Sequence, residues 1–288
     1  MRGNRRITTA LLVAAVAATA CSKNNETQQS KTPEPQFSAK VTTVAMTKDT
    51  PKEVPAIPEP TAKPTSGSFS DGEAAYNAGK FEDAVKLFDH YTEQKPKNEW
   101  GHYMLGLSAW KAGDLEKSEK AFNEALRLDP DHFKSLLHLG RILVDQKRYD
   151  DAVVRLTHAG ELEPTSADVT RLLGRAYVGL NKTDDAVAAY RRTIELDAKD
   201  AWSMNNLGGL LIDKERFDEA LPVLQKAVSL RKSVAVFHIN LGIALEHTGN
   251  IKDATAEYRK ALIVDSGNEK AKENLTRIEA VKTTDASK

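Results

Sequence analysis

The sequence predicts an all-α protein built as a stack of about six helix pairs, covered by one more helix at its C-terminal end and preceded by a long leader. Three observations predict it. Glycine recurs at positions 72, 106, 140, 174, 208 and 242, always 34 residues apart, with no insertion or deletion. Within each unit apolar residues fall at spacings of 3, 4 and 7 on two stretches, as in Leu136, Leu139, Leu143 and then Ala152, Leu156, Ala159, which indicates two amphipathic helices. A single pair of helices cannot cover its own apolar face, so successive pairs must stack.

Composition sets the outer bounds. The 288 residues carry 41 Lys+Arg against 41 Asp+Glu, and no long run of like charge forms a basic stripe, so nucleic acid is not an expected partner. A 40% apolar content supports a core, while the single cysteine, Cys21, excludes an intrachain disulfide framework and a cysteine-rich zinc site.

Residues 1–20 read as a signal peptide. Arg2, Arg5 and Arg6 form the positive start, Ala10 to Ala18 the apolar run, and Thr19 and Ala20 the small residues before Cys21. The run is about half the roughly 20 residues a spanning helix needs, so cleavage is expected rather than a permanent transmembrane anchor. Ala18-Thr19-Ala20-Cys21 resembles the bacterial lipobox, which implies cutting before Cys21 and acylation of that residue. Ala18 departs from the usual Leu, and an ordinary secreted protein with an incidental cysteine is the alternative. Ser22 stands where an Asp would imply inner-membrane retention, so the resemblance implies an outer-membrane location facing the periplasm. Two or more acyl chains, at about 0.8 kcal/mol per buried methylene, would hold the protein stably. Losing residues 1–20 removes three positive charges and leaves the mature chain faintly acidic.

Residues 21–67 are expected to be the lipidated Cys21 followed by a disordered linker. Seven of the 11 prolines lie there, Phe37 is its only aromatic residue, and Thr, Lys, Glu and Ser dominate the rest. Such a segment buries too little apolar surface to offset chain entropy. Its reach lies between a coil of about 5–6 Å × √n and a polyproline rod of about 3.1 Å per residue, or roughly 40 to 140 Å. Its Val-Pro and Pro-Glu-Pro clusters suit a spacer or a motif for Pro-binding domains.

Residues 68–266 hold the repeats, in units of about 65–98, 99–132, 133–166, 167–200, 201–234 and 235–268. Leu105, Leu139, Leu173, Leu207 and Leu241 precede the recurring glycine. Ala84, Ala152, Ala186, Ala220 and Ala254 lie twelve residues after it, with Ser118 in the same column. Phe88, Phe122, Leu156, Tyr190, Leu224 and Tyr258 lie sixteen after it. A mid-helix glycine costs about 1 kcal/mol relative to Ala, so its recurrence argues for backbones too close for a side chain. Pro96, Pro130 and Pro164 close three units where a helix should stop. Asp71 replaces the usual Leu, so the first helix is expected to fray, and Pro222 is expected to bend its helix. Residues 268–280, with Ala271, Leu275 and Ile278, read as a capping helix, and 281–288 as a polar tail.

In period, helix pairing and signature columns this pattern resembles the tetratricopeptide repeat, over about 202 of the 288 residues. The resemblance implies a right-handed α-solenoid. The sequence departs from the family's early Trp at His102, Leu136, Thr170, Met204 and His238, and from its closing Pro at Ala198, Lys232 and Ser266.

No catalytic motif, phosphate loop or metal-ligand spacing is present, and His238 and His247, nine residues apart, lack zinc-pair spacing. A non-catalytic protein without cofactor or metal is expected. In the family the first helix of each pair lines a concave groove where partners lie. Carried onto this chain, the groove comprises Trp100, Tyr103, Met104, Leu107 and Trp110, then Lys134, His138 and Arg141, then Arg171 and Arg175, then Trp202, Asn205, Asn206 and Asn240. Aromatic and Arg residues anchor partners well, and Asn206 and Asn240 could bond the main chain of an extended peptide. The alternative is that the rings merely pack between units and the basic stretch is only solvated. The carboxylate clamp of some relatives is not matched, because its positions read Arg171, Arg175, Asn206, Val236 and Asn240. An acidic or extended peptide held near Arg171 and Arg175 remains the expectation.

The combined reading is a lipid-anchored adaptor that binds a protein or peptide at the bacterial cell envelope. Two narrower versions are a pilotin-like factor for type IV pilus secretins, which six repeats behind a lipidated cysteine resemble, and an accessory subunit of a cell-wall hydrolase or glycosyltransferase.

Overall fold

The structure, a computed structural model, describes residues 68–285. The signal peptide, Cys21 and the linker lie outside the described residues. Within them there are 13 helices and no strand. The first and second helices of the six units are α1 (Phe69–Asn77) and α2 (Phe81–Gln94), α3 (Glu99–Ala112) and α4 (Leu115–Leu128), α5 (Phe133–Asp145) and α6 (Tyr149–Leu162). Then come α7 (Ala167–Gly179) and α8 (Thr183–Leu196), α9 (Ala201–Asp213) and α10 (Phe217–Leu230), α11 (Ala235–His247) and α12 (Ile251–Val264). The covering helix is α13 (Glu269–Asp285). No described helix is long and apolar enough to cross a membrane.

Local chemistry starts these helices. The side chains of Asn98, Asp114, Ser166 and Asp200 accept the backbone N–H three residues on, each capping a helix for about 1 kcal/mol. Acid pairs open other second helices, Asp150 and Asp151 in α6 and Asp184 and Asp185 in α8, where the helix dipole favours negative charge. The turn inside each unit needs a left-handed residue. Gly79, Gly113 and Gly249 supply it without strain, whereas Lys147, Asn181 and Glu215 adopt φ of 61°, 57° and 57° in the same column.

Two columns of the repeat meet physically. A Cβ on Gly106 would stand 2.8 Å from Phe122, on Gly140 2.5 Å from Leu156, on Gly174 2.7 Å from Tyr190, and on Gly242 2.5 Å from Tyr258. The residue sixteen places on therefore fills the space each glycine leaves, and Ala84, Ala152, Ala186, Ala220 and Ala254 are fully buried beside it. Ser118 fits their column because its hydroxyl donates to the Gly106 carbonyl at 2.7 Å, so burial leaves it satisfied.

First helices of neighbouring units touch one another, as α3 does α5, α5 does α7 and α9 does α11. Second helices pack chiefly on the first helices either side of them. The first helices thus form the inner side of the stack.

Two expectations are corrected. α1 forms, because the Ser68 hydroxyl accepts from the Asp71 N–H at 3.2 Å and the Asp71 carboxylate accepts from the Ser68 N–H at 3.0 Å. α10 runs unbroken through Pro222, in keeping with an expected bend rather than a break. The covering helix continues past residue 280 to Asp285, into what was expected to be tail. Ala271 and Ile278 are buried on that helix while Lys272, Glu273, Thr276 and Glu279 stay exposed, so its outer face is polar as a solenoid end requires. Arg277 reaches from it to both oxygens of Glu246 on α11.

His238, in the column where the repeat carries Trp, is also buried. Its Nδ1 lies 2.6 Å from a Glu257 oxygen and its Nε2 2.8 Å from the Lys232 carbonyl. Both partners only accept, so both ring nitrogens must donate and the ring is cationic.

Candidate peptide-binding face

The predicted groove residues all lie on the first helices α3, α5, α7, α9 and α11, and they fall into three groups along the stack. At the N-terminal end is an aromatic cluster. Trp100 is 43% exposed and stands edge-on to Tyr103, with ring centroids 5.6 Å apart, and to His132 at 4.8 Å. Tyr103 is buried against Phe122, and burial, helped by Tyr76, raises its phenol well above the ordinary range. His138 stacks parallel to Phe122 at 5.8 Å and lies 5.6 Å from Trp110. Burial, followed by the charges of Arg141, Lys111 and Lys134, pushes His138 down to about 3, so its ring is neutral at physiological pH. His132 was not among the predicted residues. Its Nδ1 accepts the Ser135 N–H at 3.2 Å and so caps α5, and burial lowers its pKa.

Cations cover the faces of these rings. Lys134 Nζ stands 5.2 Å from the centre of Trp100, Lys111 Nζ 5.1 Å from that of Trp110, and the Arg141 guanidinium 5.8 Å from Trp110. Met104 and Leu107 pack on the core beneath.

The middle group is corrected in its electrostatics. Arg171 and Arg175, expected to hold an acidic partner, are already paired. Arg171 bonds Asp168 on its own helix and reaches Asp200 at 3.3 Å, and Arg175 bonds Asp145 at 2.8 Å. Asp200 is buried and also accepts from the Ser203 N–H at 3.0 Å and its hydroxyl at 2.8 Å, so Arg171 completes a capped helix start. Their positive charge is spent on joining units.

The third group is amide-rich, and it is buried where an open wall was expected. Asn205, Asn206 and Asn240 are 1%, 4% and 1% exposed. Asn240 Nδ2 donates to Asn205 Oδ1 at 3.0 Å across the unit boundary, and Asn206 Nδ2 donates to the Tyr190 hydroxyl at 3.3 Å. Asn205 Nδ2, Asn206 Oδ1 and Asn240 Oδ1 have no partner among the described residues. Trp202 packs edge-on against Phe237 at 5.0 Å, which makes it a core contact. Asn274 on α13 was missed. It lies 34 residues after Asn240, which itself lies 34 after Asn206, and its Nδ2 is likewise unpartnered. Repeat phase alone would have found it had the covering helix been read as the start of a seventh unit.

Models of the tetratricopeptide repeat match residues 103–156, 143–204 and 201–236. The chain is a tetratricopeptide-repeat protein. Similar solved structures include Pseudomonas aeruginosa pilF, at TM-score 0.64 and 18% identity, over 72% of this chain and 95% of that one. YrrB, described as a tetratricopeptide-repeat protein with an unusual peptide-binding site, matches at TM-score 0.59 and 20% identity, over 66% and 97%. MamA from Desulfovibrio magneticus RS-1 matches at 0.54 and 22%, over 57% and 93%. At these identities the likeness concerns the fold. No curated relative matches the chain. Tetratricopeptide-repeat stacks commonly bind protein or peptide partners, and this chain has the scaffold for that role.

Proposed function

We propose that this tetratricopeptide-repeat protein is a non-catalytic adaptor, anchored in the bacterial outer membrane through acylated Cys21, that holds an extended segment of a partner protein along the inner face of its first helices. The observation that carries the reading is the amide ladder. Asn206, Asn240 and Asn274 recur at the repeat period, and each keeps an amide atom without a partner. A buried polar group left unmade costs about 1–3 kcal/mol, so three in register favour a small shift of the inner face that opens the column to a ligand able to complete them. An extended main chain offers N–H and C=O groups of both kinds. The leader supports the anchoring, since a signal-like run ending at Cys21 precedes a Pro-rich segment long enough to place the stack away from a bilayer. Tethering raises the effective concentration of a captured partner without new contacts.

Crosslinking the intact lipoprotein in membranes, followed by mass spectrometry, identifies the partner. Recovery of a secretin would select the pilotin-like version, and recovery of a hydrolase or glycosyltransferase the accessory-subunit version. Asn206→Ala combined with Asn274→Ala should then abolish the crosslink while the circular-dichroism melt stays cooperative. An undiminished crosslink in that variant would refute binding on this face.

A further inference from the structure

We infer that the partner segment is acidic where it crosses the N-terminal half of the face, and that Lys111 and Lys134, beside Trp110, Trp100 and His138, receive its carboxylates. The inference rests on the adaptor reading and adds the chemistry of the ligand and the place where that chemistry is read. Its ground is charge that the protein does not compensate. Several basic side chains on this stack are tied to acids in neighbouring units, as Arg148 is to Glu119, Arg175 to Asp145, Lys214 to Asp184 and Arg277 to Glu246. Lys111 and Lys134 differ, because among the described residues each has an aromatic ring beneath its ammonium and no carboxylate beside it.

Lys111, Lys134 and Arg141 all lie near enough to act on His138. Lys111 is lowered by burial and then by Arg141, and His138 is held neutral by burial and by all three. Like charges gathered beside low-dielectric aromatic walls repel, and an incoming carboxylate relieves that repulsion. The half-exposed Trp100 adds an apolar surface for the segment's neighbouring side chains. The aromatic cluster and the amide ladder lie on the same first-helix side of successive units, so one extended peptide can meet acid-reading and main-chain-reading groups in turn. A peptide fits this better than a nucleic acid, because the charge is local and the whole chain is formally neutral.

The test measures fluorescence anisotropy of two labelled dodecapeptides with the full chain. One alternates Glu with Ser and Phe, and the other has Gln in place of every Glu. The wild type should bind the Glu peptide at least tenfold more tightly than the Gln peptide at low salt, with the preference shrinking as salt rises. Lys111→Glu with Lys134→Glu should erase that preference. Lys226→Glu with Lys252→Glu, an equal charge change at exposed sites on second helices, should leave it within twofold. Equal binding of the two peptides by wild type, or an unchanged preference in the Lys111/Lys134 variant, overturns the inference. If the Gln peptide still binds and loses affinity in Asn206→Ala with Asn274→Ala, the adaptor reading survives that failure. If neither peptide binds, both fall. Phosphatidylglycerol vesicles in place of peptide supply the last arm, and binding of vesicles but not of the Glu peptide would assign the cations to a lipid surface and overturn the inference.

Discussion

Replacing Gly208 by Ala tests the contact on which every unit depends. A Cβ there would lie 2.4 Å from Leu224 Cγ and 2.5 Å from its Cδ2, against the roughly 3.5–4.0 Å at which carbon atoms rest. The obstructing Cγ is a branch point on a fully buried side chain, so Leu224 has to retreat by about 1 Å into a close-packed core. Two effects oppose each other. Ala gains about 1 kcal/mol over Gly within a helix, while overpacking costs about 1–3 kcal/mol, here toward the upper end because no flexible tip can swing aside. The net loss is about 1–2 kcal/mol, which for a domain of this size lowers Tm by about 2–8 °C. Gly160 supplies the opposite sign. A Cβ there meets only Val169 Cγ1 at 3.5 Å, an ordinary contact, so Gly160→Ala should raise Tm. Thermal melts followed by far-ultraviolet circular dichroism compare the two. Combining Gly208→Ala with Leu224→Ala should cost less than the sum of the single changes, because the second opens the space the first needs. A Gly208→Ala protein melting at or above the wild type would refute the close-contact account of the glycine column.

Further expectations follow from other contacts. Arg171→Glu should destabilise the stack by about 2–4 kcal/mol, more than Arg171→Met, because it sets a third carboxylate beside Asp168 and buried Asp200; equal melts for the two variants would contradict the pairing. The hydrogen bond to Glu257 raises the His238 pKa above 6.5. Its stabilisation is therefore complete below about 6.5 and lost as pH rises through the raised value. Burial pushes Glu257 up, yet the hydrogen bonds from His238 and Lys260 outweigh it and leave the carboxyl below 4.5, so its contribution is lost only as pH falls through that lowered value. His238→Gln should accordingly cost most Tm between these limits and progressively less above neutrality, and a penalty independent of pH would sink the cationic assignment. Glu215→Gly should raise stability by up to about 1 kcal/mol by removing left-handed strain, less the entropy glycine adds to the unfolded chain, and a lower Tm would count against strain there. Cys21→Ser should move the protein from the membrane fraction to the soluble one, and its persistence in membranes would contradict acylation.

Much of the fold could be read in advance because a repeat states its contacts many times over. The glycine column and the column sixteen residues later were both visible, and their meeting in space follows from one helix pair folding on itself. Asp71 looked like a defect because it breaks the Leu column. The Ser68-Phe-Ser-Asp71 stretch is a capping pattern, however, and a reading that weighed caps against columns would have kept α1. Pro222 was legible as a lost hydrogen bond near a helix start, and α10 continues through it without a break.

The site was less legible for a different reason. A sequence displays Arg171 and Arg175 as charges but hides their counter-ions, because Asp200 and Asp145 lie 29 and 30 residues away. In a stack with a period of 34 those distances amount to neighbouring turns of adjacent units, so the pairs follow from phase once charge is laid out by unit. The same layout changes what counts as evidence for a partner. A basic residue paired with an acid nearly one unit away belongs to the joint between units, and only one without such a pair remains available to a ligand. Spacing alone does not decide it, since Glu82 and Glu163 stand 29 residues from Lys111 and Lys134. It is the contacts that distinguish these two, whose ammonium groups lie over the rings of Trp110 and Trp100. Repetition thereby separates the two demands on the chain. Apolar and ion-paired residues that keep the period hold the stack together, and recognition falls to polar groups that the stack leaves unmatched, whether they keep the period, as the Asn206, Asn240 and Asn274 column does, or stand outside it, as Lys111 and Lys134 do.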